Sequence, residues 1–276
     1  MFLECYGIQH PASNTSSMSR LELMAYHSWH GPLRRPFRAI ARRLTGDSSQ
    51  IVWGPLKGKL FTGEELIYRL GIYELHVQYA LEELLHAGDV FYDVGANNGY
   101  LSLLAAQRVE TEGIVYAFEP LPQNALRMQT LMAVNRIGNY QLIEKAVSNK
   151  SGTIEFYLGD DGDPYTPSLI RDSRGQSLNV MATTLDDFAA DHSWPDLIKM
   201  DIEGAEAMAL EGATKLLNDA NAPNWLIEVH SVETDRQVRS NLLKHGYHLQ
   251  NLPAPLLRKQ YPTHLIALKK VLRTED

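Results

Sequence analysis

Two groups of residues in this chain have the types and spacing to do chemistry. The first is Asp93-Val94-Gly95-Ala96-Asn97-Asn98-Gly99, which follows one apolar run and precedes an amphipathic one. Gly95 permits a tight turn, and Gly99 lets the following helix start close to a ligand. Asp93, Gly95, Ala96, Asn97 and Gly99 are then a cradle of backbone N–H groups with a carboxylate just ahead of it. That carboxylate suits a ligand carrying the ammonium and sulfonium of S-adenosylmethionine, and it would repel a pyrophosphate. The dinucleotide fingerprint, G-x-G-x-x-G with no acid ahead, differs from Gly95-x-Asn97-x-Gly99. Glu119, 26 residues beyond Asp93, is placed to accept both hydroxyls of a ribose, a contact either cofactor would use. Pro120 stops the strand that delivers Glu119. Ala146 and Val147 stand where an adenine ring would rest, or are plain core.

The second group is Asp201, Glu203, Glu228 and His230, at the ends of two later apolar runs. Residues two apart on a strand share a face, so Glu228 and His230 point the same way and can converge with Asp201. Methyl transfer is an in-line displacement at carbon. It needs alignment, worth about 7–11 kcal/mol in the best intramolecular cases. An alcohol acceptor also gives up a proton, and a general base there adds roughly 10²–10⁴-fold. Two readings are open. His230 is a base oriented by a carboxylate, or Asp201, Glu228 and His230 hold a divalent cation such as Mg²⁺ that orients the acceptor oxygen. The spacing carries no dedicated metal signature, which favours the metal-free base. Glu206 reads as a first-turn helix acid favoured by the macrodipole, and Lys199 as a same-face partner for a carboxylate.

These residues need a sheet to position them. Beyond residue 60, short apolar strands alternate with amphipathic helices, the mark of a mostly parallel sheet with crossover helices. Strands are expected at Val90–Val94, Ile114–Phe118, Tyr140–Val147, Asp196–Asp201 and Trp225–His230. Helices are expected over Tyr100–Arg108, Gln123–Arg136 and Ala205–Asn218, and a last one stops at Gly246. Thr153–Leu158 alternates as a half-exposed antiparallel strand, and Val180–Thr184 returns, with Thr184 capping a short helix. Tyr247–Asn251 and His264–Lys269 close the sheet as an antiparallel pair. The loop Gly159–Gln176 is the expected acceptor lid. Its Asp160, Asp161 and Asp163 lack the full calcium-loop pattern, and Tyr165 is an aromatic that a sugar could stack on.

The net charge of −7 argues against a nucleic-acid partner. Residues 1–50, with six arginines and three acids, are about +3. Within them Leu33, Phe37, Ile40 and Leu44 recur at helical spacing among Arg34, Arg35, Arg38, Arg42 and Arg43. This basic amphipathic helix either packs on its own domain, the favoured reading, or makes peripheral contact with an anionic membrane. One cysteine, Cys5, and no signal or membrane-spanning run point to a cytoplasmic protein. Residues 1–60 read as a partly flexible extension and 61–276 as the domain.

The chain resembles the FkbM family of S-adenosylmethionine-dependent methyltransferases. The resemblance lies in Asp93 to Ser102, Ala117-Phe118-Glu119-Pro120, Thr184-Leu185-Asp186, Ile198 to Glu206, Glu228-Val229-His230 and the Gly246-Tyr247 pair. It covers roughly residues 70 to 250. It implies an α/β class I, Rossmann-like fold, doubly wound around a mostly parallel seven-stranded sheet, with the terminal antiparallel hairpin and N-terminal helical extension read above. It also implies transfer of a methyl group, usually to a hydroxyl of a small-molecule, sugar or secondary-metabolite acceptor. Asn98 departs from the family, which more often has an aliphatic residue there. An N-methyltransferase with the same cofactor site is the nearest alternative. A non-catalytic cofactor-fold binding protein comes next, and a nicotinamide oxidoreductase last.

Overall fold

Side chains along the strands alternate between two cores, and that alternation decides where the charged residues go. In β1 (Val90–Val94), Phe91 faces one core, which it shares with Val115, Leu197, Leu226 and Ile266. Tyr92 and Val94 face the other, with Phe118, Ile198, Trp225 and Leu265. The computed structural model describes residues 20–30, 34–45, 49–157, 177–252 and 262–269. The expected lid with Asp160, Asp161, Asp163 and Tyr165 lies outside them, as does the N-terminal stretch 1–19.

The main sheet joins β1, β2 (Ile114–Phe118), β3 (Tyr140–Ile143), β7 (Leu197–Met200), β8 (Asn224–Val229), β9 (Tyr247–Leu252) and β10 (Thr263–Lys269) in the order β3-β2-β1-β7-β8-β10-β9. Only β10 runs antiparallel to its neighbours, β8 and β9. Helices α5 (Tyr100–Val109) and α6 (Pro122–Val134) link β1 to β2 and β2 to β3, and α10 (Val232–Lys244) links β8 to β9. Strand order reverses between β1 and β7, and ligands of open α/β sheets bind outside the carboxyl ends at such a switch. Gly95 and Asp201 are the residues that leave those two ends.

Two expected elements differ. The strand Tyr140–Val147 breaks at Glu144, where the Lys145 amide turns back to the Ile143 carbonyl at 2.7 Å. Ala146–Val147 becomes β4 of a second sheet, order β4-β6-β5, with β5 (Gly152–Tyr157) and β6 (Ser177–Thr183). The helix Ala205–Asn218 divides into α8 (Glu206–Glu211) and α9 (Thr214–Asn218). Asp186 causes this second start, since its carboxylate accepts from Lys215 N and Leu216 N at 2.8 and 3.0 Å. Asp186 lies in α7 (Leu185–Asp191), which Thr184 caps as expected by accepting from Asp187 N.

The basic segment forms α1 (Arg20–His30) and α2 (Arg34–Thr45), which pack on each other. With α3 (Leu66–Leu70) and α4 (Leu75–Leu84) they share a core of Tyr26, Trp29, Ala41, Leu70 and Leu75. Its inward face is Phe37, Ala41 and Thr45, spaced by four, whereas Ile40, expected inside, is exposed. No helix of the described residues is long and apolar enough to cross a membrane.

Candidate active site

At the β1 end, the Gly95 and Ala96 amides donate to the Phe118 carbonyl at 3.1 and 3.0 Å, pinning the loop to β2. Gly95 has φ +84, and a Cβ there would fall 1.9 Å from the Asp201 carbonyl oxygen, so only glycine lets the two strand ends pass. Glu119 accepts from Asn97 N at 2.9 Å and Leu121 N at 2.8 Å. Burial pushes its carboxyl up to about 7 despite hydrogen bonds from Leu121, Asn97 and Asn124. Gly95, Ala96, Asn97, Asn98, Glu119, Pro120, Ala146 and Val147 all line one cleft of about 860 Å³. Asn98, the departure from the family pattern, accepts from Tyr100 N at 3.1 Å and so holds the start of α5.

Asp93 and Gly99 are not on that cleft. Asp93 is fully buried; one oxygen accepts from Ser102 Oγ, and the other lies 3.5 Å from Lys199 Nζ. Its cation is an internal lysine rather than a ligand. Gly99 makes room for Met128, whose Cγ would be 2.5 Å from a Cβ, so it serves helix packing rather than close approach of a ligand.

The β7 end brings Lys199, Asp201, Ile202 and Glu203 to the same cleft, which Tyr68 and Tyr73 also line. Lys199 bridges Asp93 and Asp201 (3.7 Å) and donates to the Gly95 carbonyl at 3.2 Å. Burial disfavours its charge, but Asp93, Asp201, Glu74 and Glu228 together raise its pKa. Burial works against Asp201 ionising, and Lys199, His230 and His264 overcome it to hold the carboxyl below its ordinary value. Glu203, at φ +54, is pushed up to about 7 by burial and by Asp201.

Asp201, Glu228 and His230 do converge, with one polar atom of each within 4.8 Å of the others. Neither Glu228 nor His230 is among the residues that line the cleft. His230 Nδ1 is 3.0 Å from Glu206 Oε1, and Nε2 is 3.5 Å from Asp201 and 3.4 Å from Glu203. Burial opposes its charge, yet the Glu206 hydrogen bond and the three carboxylates push the imidazole up to about 10. It therefore carries a proton at neutral pH, which is not the state of a waiting base. Glu206 stands in the first turn of α8 as expected, but it is fully buried and also accepts from Ile202 N and Gly204 N, so it serves as the partner of His230 as well.

The family model for the methyltransferase FkbM domain matches residues 93–249, more than half of the chain. The chain belongs to the FkbM methyltransferase family. The hexuronic acid methyltransferase AglP of Haloferax volcanii is 26% identical over 207 residues, 73% of this chain and 77% of that protein. The 2-O-methyltransferase NoeI of Sinorhizobium fredii is 26% identical over 206 residues, 68% of this chain and 81% of that one. The solved FkbM methyltransferase of Methylobacillus flagellatus superposes with a TM-score of 0.49 at 15% identity, covering 87% of this chain and 61% of that one.

As an FkbM enzyme the chain is an S-adenosylmethionine-dependent methyltransferase with the class I sheet. Its cleft fits that cofactor by its own donors and acceptors. Asn97 Oδ1 is buried at the wall and accepts no hydrogen bond within the described residues, which suits a ligand N–H. Five cleft residues had no motif to announce them: Tyr68, Tyr73, Asn124, Lys145 and Phe156. The rings of Tyr68 and Tyr73 form a tilted pair with centroids 4.3 Å apart, and Tyr100 packs against both. A second convergent group, Glu74, Glu228 and His264, lies beside the first.

Proposed function

We propose that this enzyme methylates a hydroxyl of a sugar-like acceptor, and that its cleft divides into a donor end and an acceptor end. The observation that carries this is one continuous cleft lined by Glu119 and the glycine loop together with Tyr68, Tyr73, Asp201 and Glu203. Aromatic faces beside carboxylates suit the apolar faces and hydroxyls of a sugar ring, and the names of the two relatives point the same way.

Bound S-adenosylmethionine supplies an electrophilic methyl on a sulfonium. Glu119 would take the ribose hydroxyls, Gly95, Ala96 and Asn97 the polar tail, and Pro120, Ala146 and Val147 the adenine. Asp93 and Gly99 act behind the loop by seating Lys199 and Met128. Asp201 and Glu203 face the acceptor, so a carboxylate there accepts the hydroxyl proton. Both ring nitrogens of His230 face carboxylates, which makes it a positioning residue for Asp201 and Glu203. Glu228 braces Asp201 from behind. The net charge of −7 argues for a small acceptor over nucleic acid, and the lone Cys5 supports a reducing, cytoplasmic compartment.

The test is transfer of labelled methyl to a panel of glycosides, uronic acids included, with amine-bearing sugars as competitors. Label on a hydroxyl oxygen is the expected product. Label only on nitrogen would overturn the oxygen assignment.

A further inference from the structure

The alternation along β8 and β10 places Glu228 and His264 on the same face as Asp201, and the two are register partners across the antiparallel pair. Glu74, just before α4, comes down onto them from the N-terminal side. His264 Nε2 is 3.5 Å from Glu228 Oε2 and 3.9 Å from Glu74 Oε2, and all three donor atoms lie within 4.8 Å of one another. Three atoms so spaced share a point about 2.0–2.4 Å from each, the length of divalent-ion bonds to carboxylate oxygen and imidazole nitrogen. All three residues are buried, with Glu74 at 8%, Glu228 at 6% and His264 at 3% exposure.

Two further observations point to a ligand at that place. Glu74 Oε2 is sealed from solvent and accepts no hydrogen bond among the described residues, although the Glu228 carboxylate belongs to the same cluster. A buried carboxylate oxygen in that position is stabilised by a proton of its own or by a cation, and a cation satisfies Glu228 at the same time. The ring of His264 is also oriented from behind: its Nδ1 meets His76 Nε2 at 3.0 Å, and His76 Nδ1 meets Tyr26 Oη at 2.8 Å. When His264 Nδ1 carries the proton and donates it to His76, Nε2 presents its lone pair to the two carboxylates. Hydrogen bonding at the far ring nitrogen is how metal-ligating histidines are held to one tautomer.

We propose that Glu74, Glu228 and His264 form a binding site for one divalent first-row transition ion. Two carboxylates with one imidazole and no thiolate suit Mn²⁺ or its neighbours. The ion ties three distant segments together: the stretch carrying Tyr68 and Tyr73, the end of β8, and β10. This site differs from the Asp201–Glu228–His230 set considered from the sequence, shares only Glu228 with it, and does not depend on which acceptor is methylated.

The experiment uses the full chain, stripped with chelator and titrated with Mn²⁺ by electron paramagnetic resonance, alongside thermal melts and S-adenosylmethionine calorimetry. One equivalent of Mn²⁺ should bind and raise the melting midpoint. Glu74→Gln and His264→Gln should abolish uptake while S-adenosylmethionine still binds, and His76→Leu should weaken it by roughly 10–100-fold. His230→Asn should leave it unchanged. Wild-type chain that takes up no Mn²⁺ overturns the proposal without recourse to any variant. Uptake that survives Glu74→Gln and His264→Gln, or that disappears with His230→Asn, also overturns it.

Discussion

The two parts of the cleft proposed for donor and acceptor are held by different means. The donor end is backbone: amides of Gly95 and Ala96 on a carbonyl, positive φ at Gly95, Asn97 and Gly99, and Glu119 tying two amides. The acceptor end is buried charge: Lys199 between Asp93 and Asp201, and His230 among Glu206, Asp201 and Glu203. A backbone cradle reads any ligand with the right skeleton and tolerates few sequences. A charge network orients groups that react, and its members depend on one another. Substitutions should therefore fail differently at the two ends.

The largest effect is expected from Gly95→Ala, which combines a positive φ, worth about 1–3 kcal/mol of strain, with a collision against the Asp201 carbonyl. Donor binding by calorimetry should disappear and the melting midpoint should fall. Intact donor affinity would mean that the loop is not the donor cradle. Next comes Lys199→Met, which strands two buried carboxylates and should cost about 3–5 kcal/mol in denaturant unfolding. Adding Asp93→Asn should restore part of that loss, because the pair is coupled. Strictly additive losses would show that the acceptor end is not a network.

A smaller effect concerns pH. Glu119 is pushed up to about 7, so in the free enzyme it holds a proton below that pH and must release it to accept two ribose hydroxyls as a carboxylate. Donor affinity should therefore rise as pH increases through about 7, by at most about tenfold per unit below it. The slope should vanish in Glu119→Gln. The smallest effect is a control outside both ends: Thr184→Ala removes the cap on α7 and should cost about 1 kcal/mol of stability with donor affinity unchanged.

The strand, glycine loop and helix of the proposed donor end were legible in the sequence because they are contiguous, whereas the burial of Asp93 against Lys199 and of Gly99 against Met128 was not. The charged end was legible only in part. Asp201, Glu228 and His230 end strands and were visible, but their protonation and partners depend on Glu206 and Lys199, whose burial no local pattern reveals. Glu206 looks like any first-turn acid until α8 turns it inward onto His230. Glu74, His76 and His264 lie far apart in the chain, with no motif around them, and only packing of α4 against β8 and β10 brings them together. The break at Glu144 was hidden for a similar reason, since Ala146 and Val147 remain apolar whichever sheet they join.

The division of the cleft is tested most directly by one crossed measurement: donor dissociation constant and turnover, side by side, for Glu119→Gln and Glu203→Gln. Glu119→Gln should weaken donor binding. Glu203→Gln should leave donor affinity at the wild-type value while turnover falls by roughly 10²–10⁴-fold. Full turnover in Glu203→Gln, or wild-type donor affinity in Glu119→Gln, would contradict the account.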